Sequence, residues 1–182
     1  MQRRPTLSLN EWAVLGVLVD RPRHGYDIAA ELKTGTPLGD IWTVNRQLVY
    51  RAIDRLHALD LARPRRREPG AGGPPRTIYG PTRTGRSELR RWLATPVDHL
   101  RDVRSALLLK LALTERLGLD SLPLIEAQQE ALADRLRELA HPPDDTTDIA
   151  GLWRHHSANA VEQFLRSVRV QTTPPSRRQR TN

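Results

Sequence analysis

Asn45-Arg46-Gln47-Leu48-Val49-Tyr50-Arg51-Ala52-Ile53-Asp54-Arg55-Leu56-His57-Ala58-Leu59 is the stretch on which the reading of this chain turns. Leu48, Val49, Ala52, Ile53, Leu56 and Leu59 recur at three- and four-residue steps, which on a helix makes one apolar stripe. The opposite face carries Arg46, Gln47, Tyr50, Arg51, Asp54 and Arg55. Asn45 stands just before the pattern, where its side-chain oxygen can accept an orphan amide of the first turn. The helix thus has one side to bury and one side of Arg, Gln and Tyr to present. Those types suit a major groove, because Arg pairs bidentately with guanine, Gln pairs with adenine, and Tyr and Arg reach phosphates. A basic amphipathic helix is by itself more often a solvated surface, so its surroundings must decide.

The 182 residues suit a single domain, or a small domain with a helical extension. The formal net charge of +8 and a pI near 11.0 point to a polyanionic partner. That charge is unevenly spread: residues 1–95 hold 17 Lys/Arg against 9 Asp/Glu, whereas 96–140 hold 6 against 8. Basicity belongs to the part containing the helix above. The absence of cysteine excludes disulfides, thiolate metal sites and Cys nucleophiles. The apolar run Trp12–Val19 is too short to span a membrane and no small-residue cleavage site follows it, so a cytoplasmic protein is expected.

Upstream of that helix, Ser8-Leu9-Asn10-Glu11 is a capping box, with Leu7 and Trp12 at the staple positions around it. Trp12 to Val19 is apolar nearly all round, which predicts a buried first helix ended by Arg21-Pro22. His24 to Leu32 predicts a short second helix; Gly35, Pro37 and Gly39 then break the pattern before Arg46. Two helices, a connector and a basic third helix make the helix-turn-helix order, with a connector longer than the simplest form has. Downstream, Ala62–Arg67 and Arg76–Pro81 can both be extended around the Gly- and Pro-rich tip 68–75. Their flanks carry Arg63, Arg65, Arg66, Arg67 and Arg76, so the hairpin reads as the wing of a winged helix; a linker between helical domains is the competing reading. Thr82 or Thr84 can cap a further helix to about Ala94, with Leu89, Trp92 and Leu93 apolar and Arg86, Arg90 and Arg91 basic.

The remainder is helical and different in character. Leu107 to Leu113 is apolar on every side but one and must be buried between helices. Leu122, Ile125, Gln129, Leu132, Leu136 and Leu139 follow alternating steps of three and four, a seam with one polar member. Ile149, Leu152, Trp153, His156, Ala160, Phe164 and Val168 trace a last amphipathic helix, and a disordered basic tail is expected over 172–182.

In this order the pieces resemble the PadR family of transcriptional regulators from about Leu7 to Leu139. The residues that carry the likeness are His24-Gly25-Tyr26, then Tyr50-Arg51 with Arg55-Leu56, then Tyr79, Thr82 and Gly85 leading to Trp92-Leu93. The family usually has a Gly in the turn after the third helix, where this chain has Asp60, and its wing tip is usually shorter. The resemblance implies a homodimeric winged-helix DNA-binding protein, often a repressor, whose helical C-terminal part dimerises. It places Asn45, Arg46, Gln47, Tyr50 and Arg51 at the DNA-facing end of the recognition helix.

The expected fold is therefore mainly α: a winged helix-turn-helix domain over 1–95 with a two-stranded wing, a helical dimerisation domain over 96–171, and the tail. The expected partner is double-stranded DNA, bound through Tyr26, Asn45, Arg46, Gln47, Tyr50, Arg51, Arg55, Arg65, Arg66, Arg67 and Arg76. Trp92 and Trp153 are candidates for an apolar effector pocket, with core packing as the competing role. His155 and His156 point to different faces of a helix and cannot chelate one ion, with His156 read as a packing residue. Asp144, Asp145 and Asp148 read as turn and N-cap chemistry rather than a cation site. No phosphate loop, HExxH or nucleophile elbow occurs, so neither a cofactor nor an enzyme is expected. A winged-helix protein–protein adaptor that never reads DNA is the alternative, since fold alone does not fix function.

Overall fold

Ser8 opens the first helix as its sequence predicts: the Glu11 N–H points to Ser8 Oγ (3.4 Å) and the Ser8 N–H donates to the Glu11 carboxylate (2.6 Å). In the computed structural model of the protein, residues 6–69, 76–145 and 147–172 are described. The chain divides into two compact units, one of residues 1–94 with 104–119 and the other of 95–103 with 120–182.

The first unit contains α1 (Leu9–Asp20), β1 (Arg23–His24), α2 (Gly25–Glu31), α3 (Arg46–Ala58), β2 (Ala62–Glu68), β3 (Arg76–Pro81), α4 (Arg83–Ala94) and α5 (Leu108–Arg116). Every residue from Trp12 to Leu18 is buried, so α1 is the hub around which the others pack. The long connector is closed by the Val44 N–H donating to Leu32 O (2.9 Å), while Trp42 Nε1 donates to Asn10 Oδ1 (2.8 Å). The three strands form one antiparallel sheet in the order β1-β3-β2. The expected wing thus acquires a third strand. His24, expected within the second helix, is extended (φ −74, ψ 154) and pairs with Ile78 before α2 begins at Gly25.

Residues 104–119 were expected beyond a boundary near residue 95, yet they belong to the first unit. Leu109 and Leu113 are fully buried in the same core as α1. A Cβ at Gly16 would lie 2.6 Å from the Leu113 side chain, so α1 and α5 meet at a glycine. A helix apolar nearly all round needs cover on several faces, and α1 and α4 supply it.

The second unit pairs α6 (Leu122–Glu138) with α7 (Ile149–Thr172). Its buried stripe is Leu124, Ile125, Gln128 and Leu132, so the polar member of the seam is Gln128 rather than the expected Gln129. The choice has a cause. Gln128 Oε1 accepts from the Val97 N–H (2.7 Å) and its Nε2 donates to Val97 O (2.9 Å), satisfying both groups of a buried peptide. On α7 the buried residues are Ala158 and Leu165, whereas Ile149, Leu152, Trp153, His156 and Ala160 of the expected apolar side are exposed. His155, not His156, is the packing histidine: its Nδ1 donates to Leu139 O (2.8 Å) and its Nε2 faces the Asn159 amide. The wing tip 70–75 and the tail 173–182 lie outside the described residues.

Candidate nucleic-acid interface

α3 is oriented by its own amphipathicity. Val49, Ala52, Ile53 and Leu56 are buried, which leaves Arg46, Gln47, Tyr50, Arg51, Asp54 and Arg55 exposed on the other side. Asn45 caps the helix, its Oδ1 accepting from the Leu48 N–H at 2.9 Å. At the first turn the Arg46 guanidinium lies 5.6 Å from the Tyr26 ring centroid and 5.8 Å from that of Tyr50. Two tyrosine faces hold one cation, and both rings remain substantially exposed. Gly25 makes this possible, because a Cβ there would meet Tyr50 Cε1 at 2.7 Å. Tyr26 is thereby brought beside Arg46 and Tyr50. Among the described residues Arg46, Arg51 and Arg55 form no ion pair, so their charge is available to an anion.

The turn after α3 fixes how the wing leaves it. The Leu61 N–H donates to Leu56 O (2.8 Å) and the Asp60 N–H to His57 O (3.0 Å), the two bonds of a Schellman cap. Asp60 occupies the left-handed position (φ 52), where the resemblance leads one to expect Gly. Thr82 locks this turn from the far end of the hairpin: its Oγ1 donates to Asp60 O (2.7 Å), its N–H donates to Leu61 O (3.0 Å), and its Oγ1 accepts from the Gly85 N–H (2.9 Å). Gly85 admits the contact, since a Cβ there would stand 2.0 Å from Leu61 O.

The wing arginines are not equivalent. Arg65 sits at a bulge between the Pro64 and Arg66 pairings, lies against Gly80, and donates from Nη2 to Pro81 O (2.7 Å). Arg66 is paired with Glu68, at 2.7 Å from Nη2 and 2.8 Å from Nε. Arg67 and Arg76 are exposed and, among the described residues, make no ion pair.

The sequence of residues 14–91 matches the Transcriptional regulator PadR-like family. This segment is a PadR-like transcriptional regulator domain. Three solved structures are similar to the chain. A PadR-like transcription factor from Bacteroides fragilis is 27% identical over 44% of this chain and 73% of its own, with a TM-score of 0.38. Bacillus subtilis PadR in complex with operator DNA is 19% identical over 87% of this chain and 97% of its own (TM-score 0.46). The same protein in complex with p-coumaric acid is 18% identical over 93% and 98% (TM-score 0.41). Among curated proteins no relative matches.

One feature of the PadR-like unit had no clear signal in the sequence. Asp20 and Glu31 are shared by Arg23, only 5% exposed, and by Arg116 of α5, with contacts from 2.5 to 3.2 Å. Arg116 is 96 positions from Asp20, so no local pattern could have announced the network. Burial alone would raise the Glu31 carboxyl, but hydrogen bonds and charge from Arg116 and Arg23 outweigh it and hold it below its ordinary range. Burial likewise opposes the Arg116 charge, and Glu31 and Asp20 overcome that and raise it.

The two effector candidates stand in different units. Trp92 stacks on Trp12 (4.8 Å, 9° between planes), with the buried Lys110 ammonium 5.0 Å from its ring. Trp153 is 73% exposed on α7. In the acidic turn, Asp145 accepts from Thr147 and Asp148 from the Gly151 N–H (2.8 Å), so both are spent on local turns. Among the described residues no group of three metal-binding side chains forms, and no helix is long and apolar enough to cross a membrane.

Proposed function

We propose that this protein is a sequence-specific DNA-binding transcriptional regulator, acting as a homodimeric repressor on an inverted-repeat operator and not as an enzyme. The observation that carries the reading is the exposed face of α3, where Asn45, Arg46, Gln47, Tyr50 and Arg51 stand together with Tyr26 and, among the described residues, no acid pairs with Arg46 or Arg51. Arg46, Gln47 and Arg51 supply base-edge chemistry, while Tyr26, Tyr50, Arg55 and the wing arginines supply phosphate contacts. Homodimerisation falls to the C-terminal helices. Ile149, Leu152 and Trp153 leave an apolar face of α7 uncovered, and a two-fold copy buries such a surface against itself. The recognition helices would then read half-sites about one DNA turn, about 34–36 Å, apart. Release by a small-molecule effector belongs to the same proposal.

The test is titration with random and genomic duplex DNA across a salt series, followed by mapping of the bound genomic site. With about 6–10 phosphate contacts per dimer, affinity is expected to fall on the order of 10³–10⁵ between about 50 and 200 mM salt. An absence of binding at low salt would sink the proposal and leave the protein–protein adaptor.

A further inference from the structure

His24 is the residue of the His24-Gly25-Tyr26 motif to which the DNA-facing surface gives no task. It lines a cleft of about 660 Å³ between β1, α2 and the wing, and both of its ring nitrogens face acceptors. Nδ1 lies 3.3 Å from Thr77 O, and Nε2 lies 3.1 Å from Glu68 Oε2. A carbonyl and a carboxylate both require a donor, so the imidazolium satisfies both partners and a neutral ring only one. The other oxygen of Glu68 holds Arg66 through both Nε and Nη2. One carboxylate is thus shared by a half-buried histidine on β1 and an exposed arginine on β2.

The remaining charged groups of the cleft are engaged elsewhere or do not reach the ring. Arg23 and Arg21 lie against Glu31, Arg23 also reaches Asp20, and among the described residues Asp27 on α2 forms no hydrogen bond or ion pair with His24. Glu68 is therefore the acid that His24 meets. An isolated surface ion pair contributes little, but here the carboxylate is held from two sides, and Arg66 meets one of its oxygens through two nitrogens, donors that an anionic phosphate oxygen can equally engage.

We propose that Glu68 is an intramolecular phosphate mimic: it occupies Arg66 in the free protein and stays on His24 when a DNA phosphate takes Arg66. Glu68 then limits how much of the wing's positive charge DNA can use. His24 is the positioning residue that keeps the released carboxylate away from the phosphate. The inference rests on the DNA-binding reading above.

The experiment is a double-mutant cycle on the full-length protein: wild type, Glu68→Gln, Arg66→Ala and the double variant, titrated with random duplex DNA at fixed salt. Glu68→Gln should tighten binding about three- to fivefold, the scale of a held surface pair. Arg66→Ala should weaken it, and the double variant should match Arg66→Ala, with the tightening gone. The same tightening in the Arg66→Ala background would show that Glu68 acts by net charge alone, and the proposal would fall. A silent Arg66→Ala beside a damaging Arg51→Ala would overturn the proposal while leaving DNA binding through α3 intact. Loss of all DNA binding would overturn both. A second readout isolates His24. His24→Ala removes the donor facing Glu68, so DNA binding should weaken relative to wild type, and that loss should vanish in the Glu68→Gln background. A loss of the same size in both backgrounds would remove His24 from the mechanism.

Discussion

Gly85→Ala separates helix propensity from tertiary contact, because the two predict opposite signs. Gly85 lies in the first turn of α4, and replacing Gly by Ala within a helix ordinarily stabilises by up to about 1 kcal/mol. In this fold the new Cβ would stand 2.0 Å from Leu61 O, against an ordinary contact of 3.4 Å or more, so backbone must separate by about 1.4 Å. The carbonyl cannot yield freely. It accepts from the Thr82 N–H (3.0 Å), and Thr82 Oγ1 binds the neighbouring Asp60 carbonyl (2.7 Å). Overpacking costs about 1–3 kcal/mol and each lost hydrogen bond about 0.5–1.5 kcal/mol. After the propensity gain, a net loss of about 2–3 kcal/mol remains, or a fall of about 5–10 °C in Tm for a chain of this size. Thermal melting followed by circular dichroism is the assay. A Gly85→Ala protein melting at or above wild type would refute the argument that this close approach fixes the turn between α3 and the wing.

Arg51→Ala should weaken DNA binding, and a loss of about 1–3 kcal/mol confined to cognate DNA, measured by anisotropy against random duplex, would mark a base contact. Replacing Arg65, Arg66, Arg67 and Arg76 together should weaken cognate and random DNA alike and flatten the salt slope; an unchanged slope would place the wing off the DNA. A fragment ending at Leu119 should fold and remain monomeric by sedimentation, whereas one ending at Thr95 should not fold, because Leu109 and Leu113 complete the core around α1. The Glu31 carboxyl is held below its unfolded value, so its contribution to stability is present above about pH 4.3 and is lost as pH falls through the lower folded value. Arg116→Met should therefore reduce the acid-dependent fall in Tm, and an identical acid profile would exclude Arg116 from holding that charge.

What the sequence alone could determine was whatever depends on neighbours along the chain. The Asn45 cap, the Ser8–Glu11 box, the apolar stripe of α3 and the two wing strands are set by groups within a few residues of each other, and periodicity and capping chemistry report such relations directly. The composition of the exposed α3 face was legible for the same reason: burying Val49, Ala52, Ile53 and Leu56 leaves Arg46, Gln47 and Arg51 no other place. Tertiary structure decided which distant group meets each open face or charge. Pairing with Ile78 makes His24 a strand residue, an option that two residues cannot signal by themselves. The Val97 peptide selects Gln128 over Gln129, and α5 returns to cover α1 because its apolar surface exceeds what one neighbour can bury. The Asp20–Glu31–Arg23–Arg116 network follows from that return, since an ion pair depends on proximity in space and leaves no periodicity in sequence.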